Sequence, residues 1–114
     1  MRIKNLHETS EGPVHSGTVS AWNLFREKDF QSNVLWFNSN LVQPGVAIEP
    51  HKHEDMEEIY YILNGKGRIK IGVNEKDVGP GDAIYIPIKK AHSLNNSGLF
   101  PPRFIYVGAK IDKK

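Results

Sequence analysis

The apolar residues of this chain come in short runs, alternating or continuous, cut every few positions by Gly, Pro or Asn. From Thr18 onward no stretch keeps a helical period over a useful length. That pattern confines the chain to an all-β fold, with strands expected at 18–25, 33–42, 58–63, 68–73, 83–86, 93–95 and 103–109, the spacing of a sandwich or barrel. Gln43-Pro44-Gly45 and Gly79-Pro80-Gly81 are turn signals, because Pro presets φ and Gly supplies φ > 0. Asn64-Gly65-Lys66-Gly67 joins two strand-like runs and predicts a tight hairpin between them. The charged run Arg26-Glu27-Lys28-Asp29 reads as a surface loop, with a short helical turn over Arg26 to Gln31 as the alternative.

Strand faces follow from the same text. Arg68-Ile69-Lys70-Ile71-Gly72-Val73 alternates apolar with basic and so predicts one wet face. Leu35-Trp36-Phe37 and Ile59-Tyr60-Tyr61-Ile62-Leu63 carry large groups on both faces, which predicts a covered interior on one side and a second element or subunit on the other. A chain of 114 residues supports one core. The expected organisation is a lead-in or arm at 1–17, placed to cross onto a partner subunit in a homodimer, followed by a single domain at 18–114.

Several function classes drop out on composition. Fifteen Lys plus Arg against thirteen Asp plus Glu leave +2 with no basic stripe, so neither DNA nor RNA is an expected partner, and the basic tail Lys110-Ile111-Asp112-Lys113-Lys114 reads as a solvated end. No run approaches the ~18 apolar residues of a membrane span, which removes a membrane role from the expectation. The start, Met1-Arg2-Ile3-Lys4-Asn5, is polar and lacks an apolar signal region, so the expected location is cytoplasmic. With no cysteine there is no disulfide, thiolate metal site or cysteine nucleophile. Ser93 beside His92 has no elbow motif around it, which disfavours a nucleophilic hydrolase.

The chemistry concentrates in Gly45 to Gly65. His51 and His53 stand at i and i+2, so on a strand both point to one face about 6.6 Å apart and can meet one ion. Glu58 opens the next strand and His92 follows a later one. Three imidazoles and one carboxylate form an N3O set suited to a divalent transition metal, Mn, Fe, Co, Ni, Cu or Zn, with coordination positions left over. Glu57, adjacent to Glu58, is the alternative carboxylate.

These residues resemble the two motifs of the cupin family. The first runs Gly, five residues, His-x-His, three or four residues, Glu, six residues, Gly, and is matched by Gly45, His51, His53, Glu58 and Gly65. The second runs Gly, five residues, Pro-x-Gly, two residues, His, three residues, Asn. It is matched by Gly81, Pro87, His92 and Asn96, with Lys89 where the motif has Gly. The resemblance implies a small RmlC-like cupin: a double-stranded β-helix (jelly-roll) barrel, a metal inside it held by His51, His53, Glu58 and His92, and frequent dimerisation. Lys89 predicts a loop at Pro87–His92 that departs from the family's shape, because Lys enters a glycine's conformation less readily.

Around that set, Tyr60 and Ile62 share the face of Glu58 by strand alternation, which makes Tyr60 a pocket wall or a core aromatic, with Tyr85 and Phe104 as lesser candidates. Trp22 and Trp36 read as packing residues, His7 and His15 as surface histidines, and Lys89 and Lys90 as a solvated turn able to attract an anion. Two functions remain open. One is a metal-dependent enzyme acting on a small oxygen-rich molecule (an oxygenase, decarboxylase, isomerase or lyase type), with Glu58 and Tyr60 handling protons. The other is a non-catalytic module that binds or senses a small molecule in the same pocket.

Overall fold

The computed structural model describes residues 1–8, 11–14, 19–42, 54–96 and 102–111. Among them nine strands form: β1 (Glu11–Val14), β2 (Val19–Arg26), β3 (Val34–Val42), β4 (Met56–Asn64), β5 (Gly67–Ile71), β6 (Asn74–Val78), β7 (Ala83–Ile86), β8 (His92–Asn96) and β9 (Arg103–Lys110). Two single 3-10 turns, Leu6–Glu8 and Glu27–Asp29, complete the described elements. The strands make a six-stranded sheet in the order β1-β2-β3-β9-β4-β7 and a three-stranded sheet in the order β6-β5-β8, with every pair antiparallel. This is the all-β fold that the short runs predict and the jelly-roll barrel that the resemblance to cupins implies.

The core lies between the two sheets. Ile62 and Phe104 of the large sheet and Leu94 of the small one are at most 1% exposed, and Ile69, Val78, Ile84 and Ile86 join them. Alternation along β4 is strict: Met56, Glu58, Tyr60 and Ile62 are buried while Ile59, Tyr61 and Leu63 are exposed. On β5 the wet face is as expected, with Arg68 and Lys70 out and Ile69 in. Arg68 reaches across to Asp77 at 2.9 Å and Glu75 at 3.6 Å on β6.

Two local expectations need correction. Asn64-Gly65-Lys66-Gly67 does not close a hairpin: β4 pairs with β7 and β9 whereas β5 pairs with β6 and β8, so the turn passes the chain from one sheet to the other, with Gly65 at φ 79°. The hairpin lies one strand later. The strand expected to run to Val73 stops at Ile71, where Gly72 (φ 60°) and Val73 turn the chain so that Ile71 faces Asn74. Of the two readings at Arg26-Glu27-Lys28-Asp29 the short helical turn forms, a surface 3-10 turn at Glu27–Asp29, where the Asp29 carboxylate accepts from the Arg26 backbone N–H at 2.9 Å and Arg2 binds the Asp29 carbonyl at 2.8 Å.

The loop at Lys89 absorbs the departure from the motif through its backbone. Lys89 itself takes the left-handed conformation, φ 64°, that glycine enters freely, at a cost of roughly 1–2 kcal/mol for an L-residue. His92 is thereby delivered to the start of β8 and is 1% exposed.

Candidate functional site

Glu58 and His92 meet inside the barrel from opposite sheets. Each is 1% exposed, and His92 Nε2 stands 3.3 Å from Glu58 Oε1. His92 Nδ1 lies 3.2 Å from the Lys90 carbonyl, which can only accept, so Nδ1 carries the proton and donates to it. That leaves Nε2 as the ring nitrogen facing the carboxylate, the orientation of a metal-ligating imidazole. Two electron-pair donors this close in a site shut from water need a proton or a cation between them.

The adjacent carboxylate is excluded from the interior. Glu57 lies on the opposite face of β4, where it accepts a hydrogen bond from the Tyr85 hydroxyl at 2.9 Å. Tyr85 is therefore an outer-face residue, 55% exposed, and not a pocket wall. Tyr60 and Phe104 do face inward, at 5% and 1% exposure, with ring centroids 4.8 Å apart.

Sequence reasoning missed Tyr106. It pairs with Tyr60 across β9 and β4, its ring centroid is 5.2 Å from that of Tyr60, and Glu58 lies near enough for its charge to act on the hydroxyl. Burial first, then the nearby Glu58 charge, pushes both tyrosine hydroxyls well above the ordinary range, so both keep their protons and act as donors. The period-2 rule carries Glu58 to Tyr60, but reaching Tyr106 requires the β4–β9 register, which no local spacing encodes.

His51 and His53 lie outside the described residues, as do His15 and Gly45. Among the described residues no group of three or more His, Asp or Glu gathers. The Glu58–His92 pair is the part of the four-ligand set whose geometry is on view. His7 is exposed, as expected of a surface histidine. Trp22 lies beneath the Arg103 guanidinium at 4.6 Å, while Arg103 also donates to Ser39 at 3.2 Å, so Trp22 packs away from the Glu58–His92 pair. The other motif residues act on the backbone: Gly81 adopts φ 90° before β7, and the Asn96 amide reaches the Val42 carbonyl at 3.5 Å, tying β8 to β3.

A two-sheet β-barrel with an imidazole and a carboxylate converging in its interior defines the class. Residues 41–108 match the Cupin domain family, more than half of the chain, and the protein belongs to that family. It is 29% identical over 91 residues to an oxalate-binding protein of Thermotoga maritima, covering 80% of this chain and 75% of the relative. It is 28% identical over 109 residues to mannose-1-phosphate guanylyltransferase 2 of Escherichia coli O157:H7, covering 96% of this chain. It spans less than half the length of some of the curated relatives it matches, 22% in the case of that guanylyltransferase. A solved structure of a predicted oxalate decarboxylase from Thermotoga maritima superposes with a TM-score of 0.90 at 23% identity, covering 96% of this chain and all of the other, which establishes the shared fold. Among the described residues no helix is long and apolar enough to cross a membrane.

Proposed function

We propose that this cupin holds a divalent transition metal through His51, His53, Glu58 and His92 and binds a small oxygen-rich molecule at that ion as a metal-dependent enzyme. The observation that carries the reading is the buried approach of His92 Nε2 to Glu58 Oε1 with Nδ1 turned to the Lys90 carbonyl. The donor set suits Mn, Fe, Ni, Zn or Cu, and such an ion supplies Lewis-acid chemistry or, for the redox-active metals, electron transfer. This chain's own groups then orient the ligand. Tyr60 and Tyr106 offer neutral O–H donors beside the carboxylate, and Glu58 and Tyr60 are the groups proposed to handle protons. The same proposal places the protein in the cytoplasm, without nucleic-acid or membrane partners.

Non-catalytic binding is the second reading, supported by the oxalate-binding name of a relative of which this chain covers three quarters. One experiment separates the two. Protein purified without chelator is analysed for metal, then stripped, loaded with Fe, Mn, Ni or Zn, and presented with keto acids, sugar derivatives and diketones while binding and turnover are followed together. Metal-dependent turnover that falls about 10²-fold or more in Glu58→Gln supports the enzyme. Tight binding without turnover under every metal supports the binding module, and absence of both defeats the proposal.

A homodimer belongs to the same proposal. Phe37, Ile59, Tyr61, Leu63 and Tyr85 are 38–55% exposed on the outer face of β3, β4 and β7, with Ile105 and Val107 of β9 between them. Monomers rarely leave so continuous an apolar face open, and a two-fold axis would let it cover itself. Light scattering at high micromolar concentration is expected to give twice the mass of the 12.9 kDa chain; a monomeric mass would count against it.

A further inference from the structure

The inward face of β3 continues the barrel wall away from Glu58. In register across the sheet, Trp36 pairs with Gly108 and Gly108 with Glu58, while Asn38 pairs with Tyr106 and Tyr106 with Tyr60. Residues paired in this way point to the same side of a sheet. Asn40 follows two residues on, beside Phe104. Trp36 and the two asparagines therefore line the same interior as the site.

Their polar atoms stand out. Asn38 and Asn40 are 8% and 5% exposed, and among the described residues Asn38 Oδ1, Asn40 Oδ1 and Trp36 Nε1 are buried without a hydrogen-bonding partner. Gly108 makes room for the indole: a Cβ there would stand 2.6 Å from Trp36 Cζ2 and 3.0 Å from Nε1, so the ring lies over the backbone of the glycine that pairs with Glu58. Its centroid is 5.2 Å from that of Tyr106. A packing tryptophan needs no N–H aimed over a glycine, and an all-apolar barrel lining needs no asparagines. Buried polar groups are as a rule satisfied, so these await water or a ligand.

We infer that Trp36, Asn38 and Asn40 form a recognition wall for the hydroxyl groups of the ligand, which makes the ligand a polyhydroxylated acid and not a bare carboxylate. The inference rests on the metal-site reading above and names its substrate class. An amide presents an acceptor and two donors, and a hydroxyl both donates and accepts, so a hydroxyl satisfies an asparagine in either orientation of its amide. A carboxylate oxygen can only accept. It would serve Trp36 Nε1 but, with the amide oxygens as the unpartnered atoms, would leave them unmatched, a loss that gives sites built for hydroxyls their strong discrimination.

The test compares D-glycerate with D-lactate by calorimetry on the Mn-loaded protein. Both are α-hydroxy acids that chelate a metal in the same way, and they differ only in the terminal hydroxyl. Wild type is expected to prefer glycerate by tenfold or more. The double variant Asn38→Leu, Asn40→Leu should lose that preference while keeping its metal content and its affinity for lactate. Trp36→Phe, which keeps a ring over Gly108 and deletes the N–H, should weaken glycerate several-fold without loss of fold by circular dichroism, and it decides the matter if the double variant does not fold. Equal affinity for the two acids in wild type, or a preference that survives in the variants, overturns the wall and leaves the metal site standing. A Mn-loaded protein that binds neither acid overturns the wall, and a wild type that takes up no Mn overturns the metal-site reading beneath it.

Discussion

A His51→Ala, His92→Ala double variant should carry no metal above background when purified without chelator, where the wild type carries about one ion per chain. Removing two of three imidazoles leaves one nitrogen and the Glu58 carboxylate, too few protein donors to retain a transition metal against water. His92 is the member whose placement is visible: it is 1% exposed, held through Nδ1 to Lys90, and faces Glu58 at 3.3 Å. Its loss also leaves the carboxylate without the imidazole across from it in a site closed to solvent. The stability consequence has a definite sign. An ion that binds only the native state adds about 2.7 kcal/mol when present at a hundredfold its Kd, so chelation should lower the wild-type melting temperature and leave the double variant's unchanged. Stoichiometric metal in the double variant, by elemental analysis, would sink the ligand assignment.

What the sequence revealed and what it hid divide along a physical line. Properties set by one strand were legible. The alternation of β4 told that Glu58, Tyr60 and Ile62 share a face, and the apolar runs gave the all-β class. Strands whose signal lies in backbone pairing escaped: β6 reads Asn-Glu-Lys-Asp-Val, with only Val78 buried, and β1 contains a Gly-Pro pair. Both sit at sheet edges, where a strand need bury little to be held. The false hairpin at Gly65 has the same root, since a glycine turn states that the chain reverses but not which sheet receives it. Tyr106 and Trp36 belong to the interior only because β9 lies between β3 and β4. That adjacency joins strands far apart in the chain, and only the fold supplies it.

Because β9 is that shared neighbour, its central aromatic should be the costliest single core residue to remove. Phe104 is 1% exposed, pairs with Asn40 on one side and Ile62 on the other, and packs its ring 4.8 Å from Tyr60 and 6.5 Å from Tyr106. Phe104→Ala removes the transfer free energy of a buried ring and leaves a cavity that strands pinned on both sides cannot close, for an expected cost of about 3–5 kcal/mol. Against a total stability of roughly 5–15 kcal/mol, that is enough to leave a substantial unfolded fraction in mild urea. The same substitution strips the lateral support from both tyrosines, so metal-loaded Phe104→Ala should also bind its ligand more weakly than wild type at temperatures where it is still folded. Phe37→Ala is the control. Its ring is 38% exposed on the outer face of the same sheet, and its loss should cost far less than that of Phe104 in the monomer. The urea midpoints of the two variants measure the difference, and a Phe104→Ala midpoint within about 1 kcal/mol of wild type would mean that the sheets do not close over Phe104 as described.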